Sequence, residues 1–295
     1  MHILLFGKTG QVGWELQRAL APLGKITALC TRSTEWCGDL TQPEEIRKSI
    51  QNLRPDIIVN AAAYTAVDKA ESEPDLAELI NSTSVKVMAE EAKNLNAILI
   101  HYSTDYVYSG EGQNRWRESD KPEPRNIYGK TKLSGEQAIT AADIQYLIFR
   151  TSWVYASRSN NFIKTMLRLG SEKEALSIIN DQIGAPTGAA LIADITAHAL
   201  RMVQANPDLT GIYNLAAAGE TSWFDYASLI FTESEKYSTA LKIRKLSPIT
   251  TAEYITPAKR PLNSRLELSR LEKTFGLKMP PWQDGVRYVI QELLT

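Results

Sequence analysis

A tyrosine and a lysine four residues apart, Tyr128 and Lys132, form the most chemically informative pair in the chain. On a helix this spacing places the phenol and the ammonium on one face, within reach of one ligand. A tyrosine has a reference pKa of about 10, so a neighbouring cation that favours the phenolate is the expected tuning device. The pair fits proton donation to a carbonyl oxygen, whereas an isolated match of this kind is more often an exposed helical pair.

Three glycines, Gly7, Gly10 and Gly13, follow the apolar run Ile3 to Phe6 directly. At a strand-to-helix turn they let the backbone approach a pyrophosphate and aim helix N–H groups at it. A triphosphatase-type phosphate loop is excluded, because His2 stands where that loop requires its first glycine. We therefore interpret the turn as a nucleotide-binding loop; the alternative is a tight turn without a ligand.

The second apolar run ends at Thr31-Arg32-Ser33, with no acidic residue among them. An acidic residue at this point binds the adenosine ribose hydroxyls, whereas an arginine accommodates a 2′-phosphate. Arg32 therefore predicts that NADPH is preferred over NADH. The alternative is a solvated surface arginine.

The composition indicates an ordinary globular protein of 295 residues. With 33 Lys and Arg against 34 Asp and Glu, there is no basic field to hold nucleic acid or an anionic membrane. Cys30 and Cys37 are too few for a disulfide framework, and no run reaches the length of a membrane span. These features predict a cytoplasmic protein that binds neither nucleic acid nor membranes.

Short apolar runs of the kind found in strands buried on both faces recur through the first half: Ile3 to Phe6, Ile26 to Cys30, Ile57 to Val59, Ile98 to Tyr102 and Tyr146 to Phe149. Helical patterns separate them, and the first, with Leu16 and Leu20 on one face, ends near Gly24 as its expected C-cap. This alternation predicts an α/β fold with a Rossmann-type, doubly wound parallel sheet. Residues 1–150 are interpreted as the NAD(P)-binding domain. Residues 151–295 are interpreted as a smaller, mixed α/β, mainly substrate-binding domain that returns a strand or helix to the first.

Local matches along nearly the whole chain identify it as similar to the extended short-chain dehydrogenase/reductase family. They lie at Leu4 to Leu16, Val59 to Glu73, His101 to Tyr108, Tyr128 to Glu136, Phe149 to Tyr155, Asp181 to Thr187 and Arg260 to Leu266. Within the family, the chain resembles the branch that reduces the C4 ketone of dTDP-6-deoxy-L-lyxo-4-hexulose to dTDP-L-rhamnose, for surface polysaccharide such as O-antigen. The resemblance thus implies an NAD(P)H-dependent oxidoreductase acting on a nucleotide sugar.

The resemblance makes Tyr128 the proton donor to the keto oxygen, Lys132 its tuner and an anchor for the nicotinamide ribose, and Thr104 a hydroxyl that holds the carbonyl. Carbonyl reduction requires the same residue types, because hydride delivered to the carbonyl carbon leaves negative charge on the oxygen, which a phenol can protonate. The expected cofactor-binding residues are Gly7, Gly10, Gln11, Val12, Gly13, Arg32, Asp39, Leu40, Ala61, Ala62, Ala63, Thr65, Tyr102, Tyr128 and Lys132.

Besides Thr104 and Tyr128, four residues are assigned to the substrate side. Asp105 is expected to accept hydrogen bonds from sugar hydroxyls, and Val67 to shape the pocket. Trp153 either packs against the deoxyhexose or belongs to the core. Arg260 either holds the substrate diphosphate or pairs with a protein carboxylate.

The remaining assignments concern metal, histidines and assembly. Mg²⁺ is implied by the resemblance alone, and the sequence offers no clustered carboxylates with recognisable ligand spacing. His101 and His198 are interpreted as structural histidines. A homodimer is expected, and the apolar face of the C-terminal helix, which includes Val286, Val289 and Ile290, is an ordinary packed face or a dimer interface.

Two rival functions stay open. A nucleotide-sugar reductase or epimerase of the same superfamily shares Tyr128 and Lys132, and an epimerase retains its cofactor through the cycle. A non-catalytic regulatory subunit on this fold, as in a methionine adenosyltransferase complex, needs no proton donor. The resemblance implies that family members with an acidic residue at the end of the second strand use both NADH and NADPH. This chain has Arg32 there and no acidic residue, so whether it also uses both nucleotides stays open.

Overall fold

The computed structural model describes residues 1–237 and 241–295. The strands are β1 His2–Phe6, β2 Lys25–Leu29, β3 Ile57–Asn60, β4 Ile98–Thr104, β5 Tyr146–Thr151, β6 Val154–Tyr155, β7 Ala175–Ile179, β8 Ile183–Gly184, β9 Thr187–Gly188, β10 Gly211–Asn214, β11 Thr221–Ser222 and β12 Lys245–Ile249. The α-helices are α1 Gln11–Leu20, α2 Pro43–Leu53, α3 Val67–Ala70, α4 Pro74–Glu78, α5 Ser84–Leu95, α6 Ile127–Ala141, α7 Phe162–Glu172, α8 Ala189–Ala205, α9 Trp223–Glu235, α10 Ser269–Phe275 and α11 Trp282–Leu294.

A six-stranded sheet in the order β10-β5-β4-β3-β1-β2 forms the centre of the molecule. Every pair in it is parallel. The chain leaves β1 outward to β2 and then crosses to β3 on the other side, so the loops after β1 and β3 are neighbours. This doubly wound parallel arrangement confirms the predicted fold class, and such a reversal of strand order opens a crevice for ligands at the carboxyl ends of the strands.

Both faces of the sheet are covered, as the continuous apolar runs predict. In β1, Ile3 and Leu5 pack in one core with residues of α1 and α8, whereas Leu4 and Phe6 pack in a second core with residues of α2 and α5. All four side chains are completely buried. Alternate residues of a strand point to opposite faces, so a strand of this kind must be apolar throughout.

Elements from beyond Arg150 enter this central layer. β10 pairs with β5 at the sheet edge, in register Gly211 to Leu147 through Asn214 to Arg150. α8 packs against α1, and α10 contributes Leu271 and Phe275 to the same core.

The rest of the second half forms its own core from α7, α9 and α11, with Tyr226, Trp282 and Ile290 among its buried side chains. Short strand pairs flank it: β12 with β7, β11 with β8, and β6 with β9. Val286, Val289 and Ile290 of α11 are buried here. The apolar face of the C-terminal helix is therefore the packed face of the two alternatives.

Gly24 is the C-cap of the first helical segment, as expected, but it caps a 3-10 turn rather than α1 itself. α1 ends at Leu20, a single 3-10 turn at Ala21–Leu23 follows, and Gly24 has φ 164°, which is extended backbone. The chain passes at once into β2, where Lys25 N donates to Met1 O at 3.0 Å. Because Lys25 already belongs to the sheet, the backbone of Gly24 is extended rather than left-handed helical.

Candidate active site

The turn from β1 into α1 forms a cradle of backbone. Gly7 has φ +88°, and a Cβ on Gly13 would lie 2.0 Å from Gly7 O, so both positions require glycine. Gly10 stands at the N-cap of α1 and contributes no side chain to capping. The first N–H groups of the helix therefore remain available to an anionic ligand.

The cradle opens into a cavity of about 510 Å³ whose lining includes most of the predicted cofactor residues. Those that line it are Gly7, Gly10, Gln11, Val12, Asp39, Leu40, Ala61, Ala62, Ala63, Thr65, Tyr102, Tyr128 and Lys132. Gly13 lies buried behind the turn, and Arg32 is exposed next to Thr31, which does line the cavity. Ser103 Oγ and Thr151 Oγ1 are buried without hydrogen-bond partners, and both residues line the cavity. A cavity of this size with a glycine cradle and unused polar atoms fits a dinucleotide.

Helix α6 carries Tyr128 and Lys132 to this cavity. Its first turn is fixed by Asn126, whose Oδ1 accepts from Gly129 N at 2.8 Å and whose Nδ2 donates to Lys259 O at 2.9 Å. Further along, Glu136 forms a buried ion pair with Arg150 of β5 at 2.6 Å. None of these contacts was predicted from the sequence; Asn126 and Lys259 are 133 residues apart in the chain, and Glu136 and Arg150 are 14 apart. Together they hold the face that bears the phenol and the amine against the sheet.

The phenol of Tyr128 lies in an environment that favours its protonated form. Burial raises the pKa of Tyr128 to about 12, a hydrogen bond to Thr104 opposes that shift, and the charge of Asp105 adds to it. Thr104 Oγ1 donates to Asp105 Oδ1 at 3.1 Å and accepts from Tyr106 N at 3.2 Å. Thr104, Asp105 and Tyr128 are thus one hydrogen-bonded and electrostatic group.

Lys132 occupies a different environment from the one that the sequence suggested. Its Nζ donates to Tyr102 O at 2.6 Å and lies 3.0 Å from His101 Nε2. Burial lowers the pKa of Lys132 to about 7, against a raising effect of Glu136. In this arrangement the lysine does not lower the pKa of Tyr128, because it is itself desolvated and hydrogen-bonded to the sheet.

His101 is completely buried and has partners on both ring nitrogens, so it is a satisfied histidine as predicted. What sequence reasoning missed is that one partner is Lys132. The sequence did contain a signal for this contact: His101 lies in β4, three residues before Thr104, on a strand whose end faces the cavity.

Tyr128 lines the cavity, whereas the other substrate-side candidates are not among its lining residues: Thr104, Asp105, Val67, Trp153 and Arg260. Asp105 is buried with Oδ2 unpartnered, and burial raises its pKa to about 6. Val67 begins α3 and is half-buried. Trp153 has φ +50° and stacks on Trp223 with 3.6 Å between ring centroids.

Arg260 pairs with a protein carboxylate, which was one of its two expected roles. Its Nη2 lies 2.6 Å from Asp68 Oδ2, while its buried Nε has no partner. The guanidinium also counteracts the burial that raises the pKa of Tyr106, whose ring packs edge-on to Tyr128 at 5.5 Å. Arg260 is therefore linked to the Tyr128 site through Tyr106.

Metal-ligating side chains do not converge within residues 1–237 and 241–295, where no three His, Cys, Asp or Glu residues come together in a way that suits an ion. The described residues thus offer no site made of three such side chains for the Mg²⁺ implied by resemblance, and no chemical step is derived through it. In the same residues, no helix is long and apolar enough to cross a membrane.

Comparisons with known proteins identify the family of this chain. Residues 1–295 match the family model described as RmlD substrate binding domain. The chain is 56% identical to dTDP-4-dehydrorhamnose reductase of Escherichia coli strain K12, over 100% of this chain and 99% of that protein. It is 54% identical to the enzyme of the same name from Shigella flexneri, with the same coverage.

Solved structures show the same relationship. A crystal structure of dTDP-4-dehydrorhamnose reductase from Bacillus anthracis in complex with NADP superimposes with a TM-score of 0.89 and 34% identity, over 99% of both chains. A UDP-glucose 4-epimerase of Thermus thermophilus in complex with NAD gives a TM-score of 0.82 at 17% identity, covering 99% of both chains. The second likeness shows the fold alone.

Proposed function

The chain belongs to the RmlD substrate-binding-domain family, and we propose that it is an NAD(P)H-dependent oxidoreductase that reduces the C4 ketone of dTDP-6-deoxy-L-lyxo-4-hexulose to dTDP-L-rhamnose. The observation that carries this proposal is Tyr128 at a cavity with a glycine cradle, in a chain 56% identical end to end to a dTDP-4-dehydrorhamnose reductase. The proposed role is the last step of dTDP-rhamnose synthesis.

The proposed mechanism assigns each residue one task. The bound nicotinamide supplies the hydride. Tyr128 donates its proton to the keto oxygen, and the phenol carries that proton throughout the neutral range because burial raises its pKa. Thr104 holds the same oxygen by a hydrogen bond, so charge that develops there is stabilised. Lys132 anchors the nicotinamide ribose and restores the proton of Tyr128.

We assign the remaining contacts as follows. The cradle of Gly7, Gly10 and Gly13 binds the pyrophosphate, and Arg32 binds the 2′-phosphate of NADPH, which we propose is preferred over NADH. Asp105, Val67 and Trp153 face the sugar. Arg260, through its unpartnered Nε, is assigned to the substrate diphosphate. Residues 1–150 form the cofactor-binding part in this proposal, with β10 and α8 added from the mainly substrate-binding part.

A coupled assay tests the function. The purified protein is mixed with freshly generated dTDP-6-deoxy-L-lyxo-4-hexulose and either NADPH or NADH, while nucleotide oxidation is followed and the sugar product identified. Stoichiometric oxidation with dTDP-L-rhamnose formed is expected. Conversion of the sugar without net nucleotide oxidation would indicate an epimerase, and nucleotide binding with the sugar unchanged would indicate a regulatory subunit.

Tyr128→Phe is the decisive variant in this assay. Removing the hydroxyl takes away the proton donor, so turnover should fall by about 10²- to 10⁴-fold while nucleotide binding persists. Tyr146→Phe, on β5 and outside the cavity lining, is the matched control and should retain wild-type turnover. Normal turnover of Tyr128→Phe would overturn the assignment.

A homodimer belongs to the same proposal. Trp14 on α1 and Tyr288 on α11 are 42% and 68% exposed, large fractions for aromatic side chains. Both line a second cavity of about 650 Å³ on the surface. Exposed aromatic residues around a concave surface are typical of protein interfaces, so we place the dimer contact there.

A further inference from the structure

A chain of three buried side chains runs from the sheet to Lys132. His101 Nε2 lies 3.0 Å from Lys132 Nζ, and His101 Nδ1 lies 3.1 Å from Asn60 Nδ2. All three residues are at most 1% exposed. The mechanism proposed above uses only the lysine, so the roles of the histidine and the asparagine need a separate account.

The hydrogen-bond donors and acceptors define the protonation state of this chain. Asn60 Oδ1 accepts from Ala62 N at 3.1 Å, which orients the amide so that its Nδ2, a donor, faces His101. His101 Nδ1 must then accept, and a neutral imidazole carries its proton on Nε2. An Nε2–H that faces Lys132 needs a lone pair as partner. Lys132 offers one only as the neutral amine.

An ammonium at Lys132 would require the opposite arrangement. His101 Nε2 would accept, Nδ1–H would face the Asn60 amide, and that amide would have to turn round. Its Nδ2 would then oppose Ala62 N–H, donor against donor. Charging Lys132 therefore sacrifices the hydrogen bond between Ala62 N and Asn60 Oδ1 at the end of β3.

The charges around Lys132 do not compensate for this cost. From β4, Lys132 faces His101 and the Tyr102 carbonyl, and burial lowers the pKa of His101 well below its usual value. On α6 its neighbours are Tyr128, a neutral phenol, and Glu136, whose carboxylate is paired with Arg150 of β5. No free carboxylate stabilises the ammonium among these neighbours.

We propose that His101, oriented by Asn60, is a positioning residue that keeps Lys132 a neutral amine in the protein alone, so that nucleotide binding is coupled to proton uptake by Lys132. Ribose hydroxyl oxygens and the negative charge of the nucleotide are the acceptors that favour the ammonium once bound. The inference rests on the proposed function, because it supplies the proton that reduction consumes.

The proton balance is complete. Reduction adds a hydride to the carbonyl carbon and a proton to its oxygen. That proton leaves Tyr128, and Tyr128 regains one from the Lys132 ammonium. The imidazole of His101 then returns from its Nδ1–H to its Nε2–H tautomer with no net change in its protons, the Asn60 amide turns back, and the Lys132 amine accepts again from His101 Nε2–H. The proton taken up when the next nucleotide binds recharges Lys132, so each turnover takes one proton from solvent.

Calorimetry of NADPH binding in buffers of different ionisation enthalpy measures this proton directly, without the sugar. At pH 8 the 2′-phosphate is already ionised, since its pKa is about 6. With the pKa of Lys132 at about 7 before binding and at the ordinary lysine value of about 10.4 after it, the uptake should approach about 0.9 proton per site. Binding without buffer dependence would overturn the inference and leave the reductase proposal standing; no binding at all would overturn both.

Two variants test the role of the pair. In Asn60→Asp a carboxylate accepts from His101 Nδ1–H, and in His101→Gln an amide oxygen faces Lys132. Both changes favour the ammonium before binding. Uptake at pH 8 should fall to less than about 0.3 proton in each, and the alkaline limb of kcat/KM for NADPH should move up by at least about one pH unit.

His198→Gln is the matched control, because His198 Nε2 pairs with Phe275 O on the far side of α8. It should keep the wild-type uptake and pH profile. If the role of His101 were purely structural, the variant would have a lower kcat/KM for NADPH at every pH, and the pH at which its alkaline limb falls would not change. Unchanged uptake in both variants would assign the linked proton to another group and overturn the inference. If neither variant folds, the wild-type buffer series still decides.

Discussion

At the scale of single residues, burial rather than nearby charge sets the acid–base properties of this site. Tyr128, Lys132 and Asp105 all have pKa values shifted toward the uncharged form, and desolvation is the largest cause in each case. A site of this kind gains charge when polar ligands enter, because they supply the hydrogen bonds that water cannot. Ligand binding and protonation are therefore expected to be linked.

Asp105 gives a prediction for stability against pH. Its pKa in the folded chain is about 6, above the unfolded value of about 3.9, so the buried carboxylate destabilises the fold increasingly as pH rises between those values. Asp105→Asn should be more stable than the wild type by about 1–3 kcal/mol at pH 8, and the gap should narrow at pH 5. Urea denaturation at both pH values measures it. A less stable variant at pH 8 would contradict the electrostatic argument.

Arg32 gives a prediction for nucleotide preference. Loss of a charge-assisted hydrogen bond costs about 1.5–3 kcal/mol, so Arg32→Ala should raise KM for NADPH by about 10- to 100-fold and leave KM for NADH nearly unchanged. Steady-state kinetics with both nucleotides provide the test. Arg201→Ala, at another exposed arginine, should change neither value. Equal losses for the two nucleotides would show that Arg32 does not read the 2′-phosphate.

At the scale of elements, α6 is the part that brings chemistry to the sheet. Asn126 fixes its first turn, and Glu136 ties its middle to β5 through Arg150, which also bonds Tyr108 Oη at 2.8 Å. Both partners of the ion pair are at most 3% exposed. The desolvation of both charges offsets much of the attraction in a buried ion pair. Its main contribution is therefore to fix the position of α6 against β5 rather than to stabilise the fold.

Removing one partner tests that constraint. Glu136→Ala leaves the Arg150 guanidinium buried without its carboxylate, and should lower the free energy of unfolding by about 3–5 kcal/mol. Denaturant titration measures the loss, with the exposed Gln137→Ala on the same helix as control. Replacing the pair together, as Glu136→Leu with Arg150→Met, should cost less than Glu136→Ala alone. A double variant that is less stable than Glu136→Ala would mean that the Glu136–Arg150 ion pair contributes net stability.

At the scale of the whole molecule, the sheet gathers residues from distant parts of the chain at one edge. The loops after β1, β2 and β3 line the cavity together with the end of β4 and with Tyr128 and Lys132 of α6. The second half brings Thr151, Val154 and Asn160 to its wall. Elements of both halves share one sheet and one core. The site is thus built between the halves, as is common for ligands bound beyond the carboxyl ends of parallel strands.

The proposed dimer is also decided at this scale. Tyr288→Glu places a charge on the exposed aromatic surface and should convert the dimer to monomer, or weaken it at least about tenfold, because a charge at the centre of an interface must be desolvated. Light scattering after size exclusion measures the mass. Tyr254→Glu, at a tyrosine 56% exposed elsewhere, is the control. An unchanged mass distribution would exclude this surface as the dimer contact.

The sequence by itself determined the order of the elements and the local sites on them. The β1 run is apolar because both faces of the strand are covered. Glycine is required at Gly7 and Gly13 because neighbouring backbone lies too close to leave space for a Cβ. Periods of two and 3.6 residues and turn chemistry are local properties, so they can be read from neighbouring residues. The fold class and the family prediction were confirmed for this reason; the site assignments remain proposals.

Only the tertiary structure decided which distant side chains meet. That Asn60, His101 and Lys132 form one buried chain depends on β3, β4 and α6 packing side by side. The choice of Asp68 as partner for Arg260 similarly joins residues far apart in the chain. Such contacts carry no periodic signal, and the desolvation that sets the pKa of Lys132 arises only when the whole core excludes water around it.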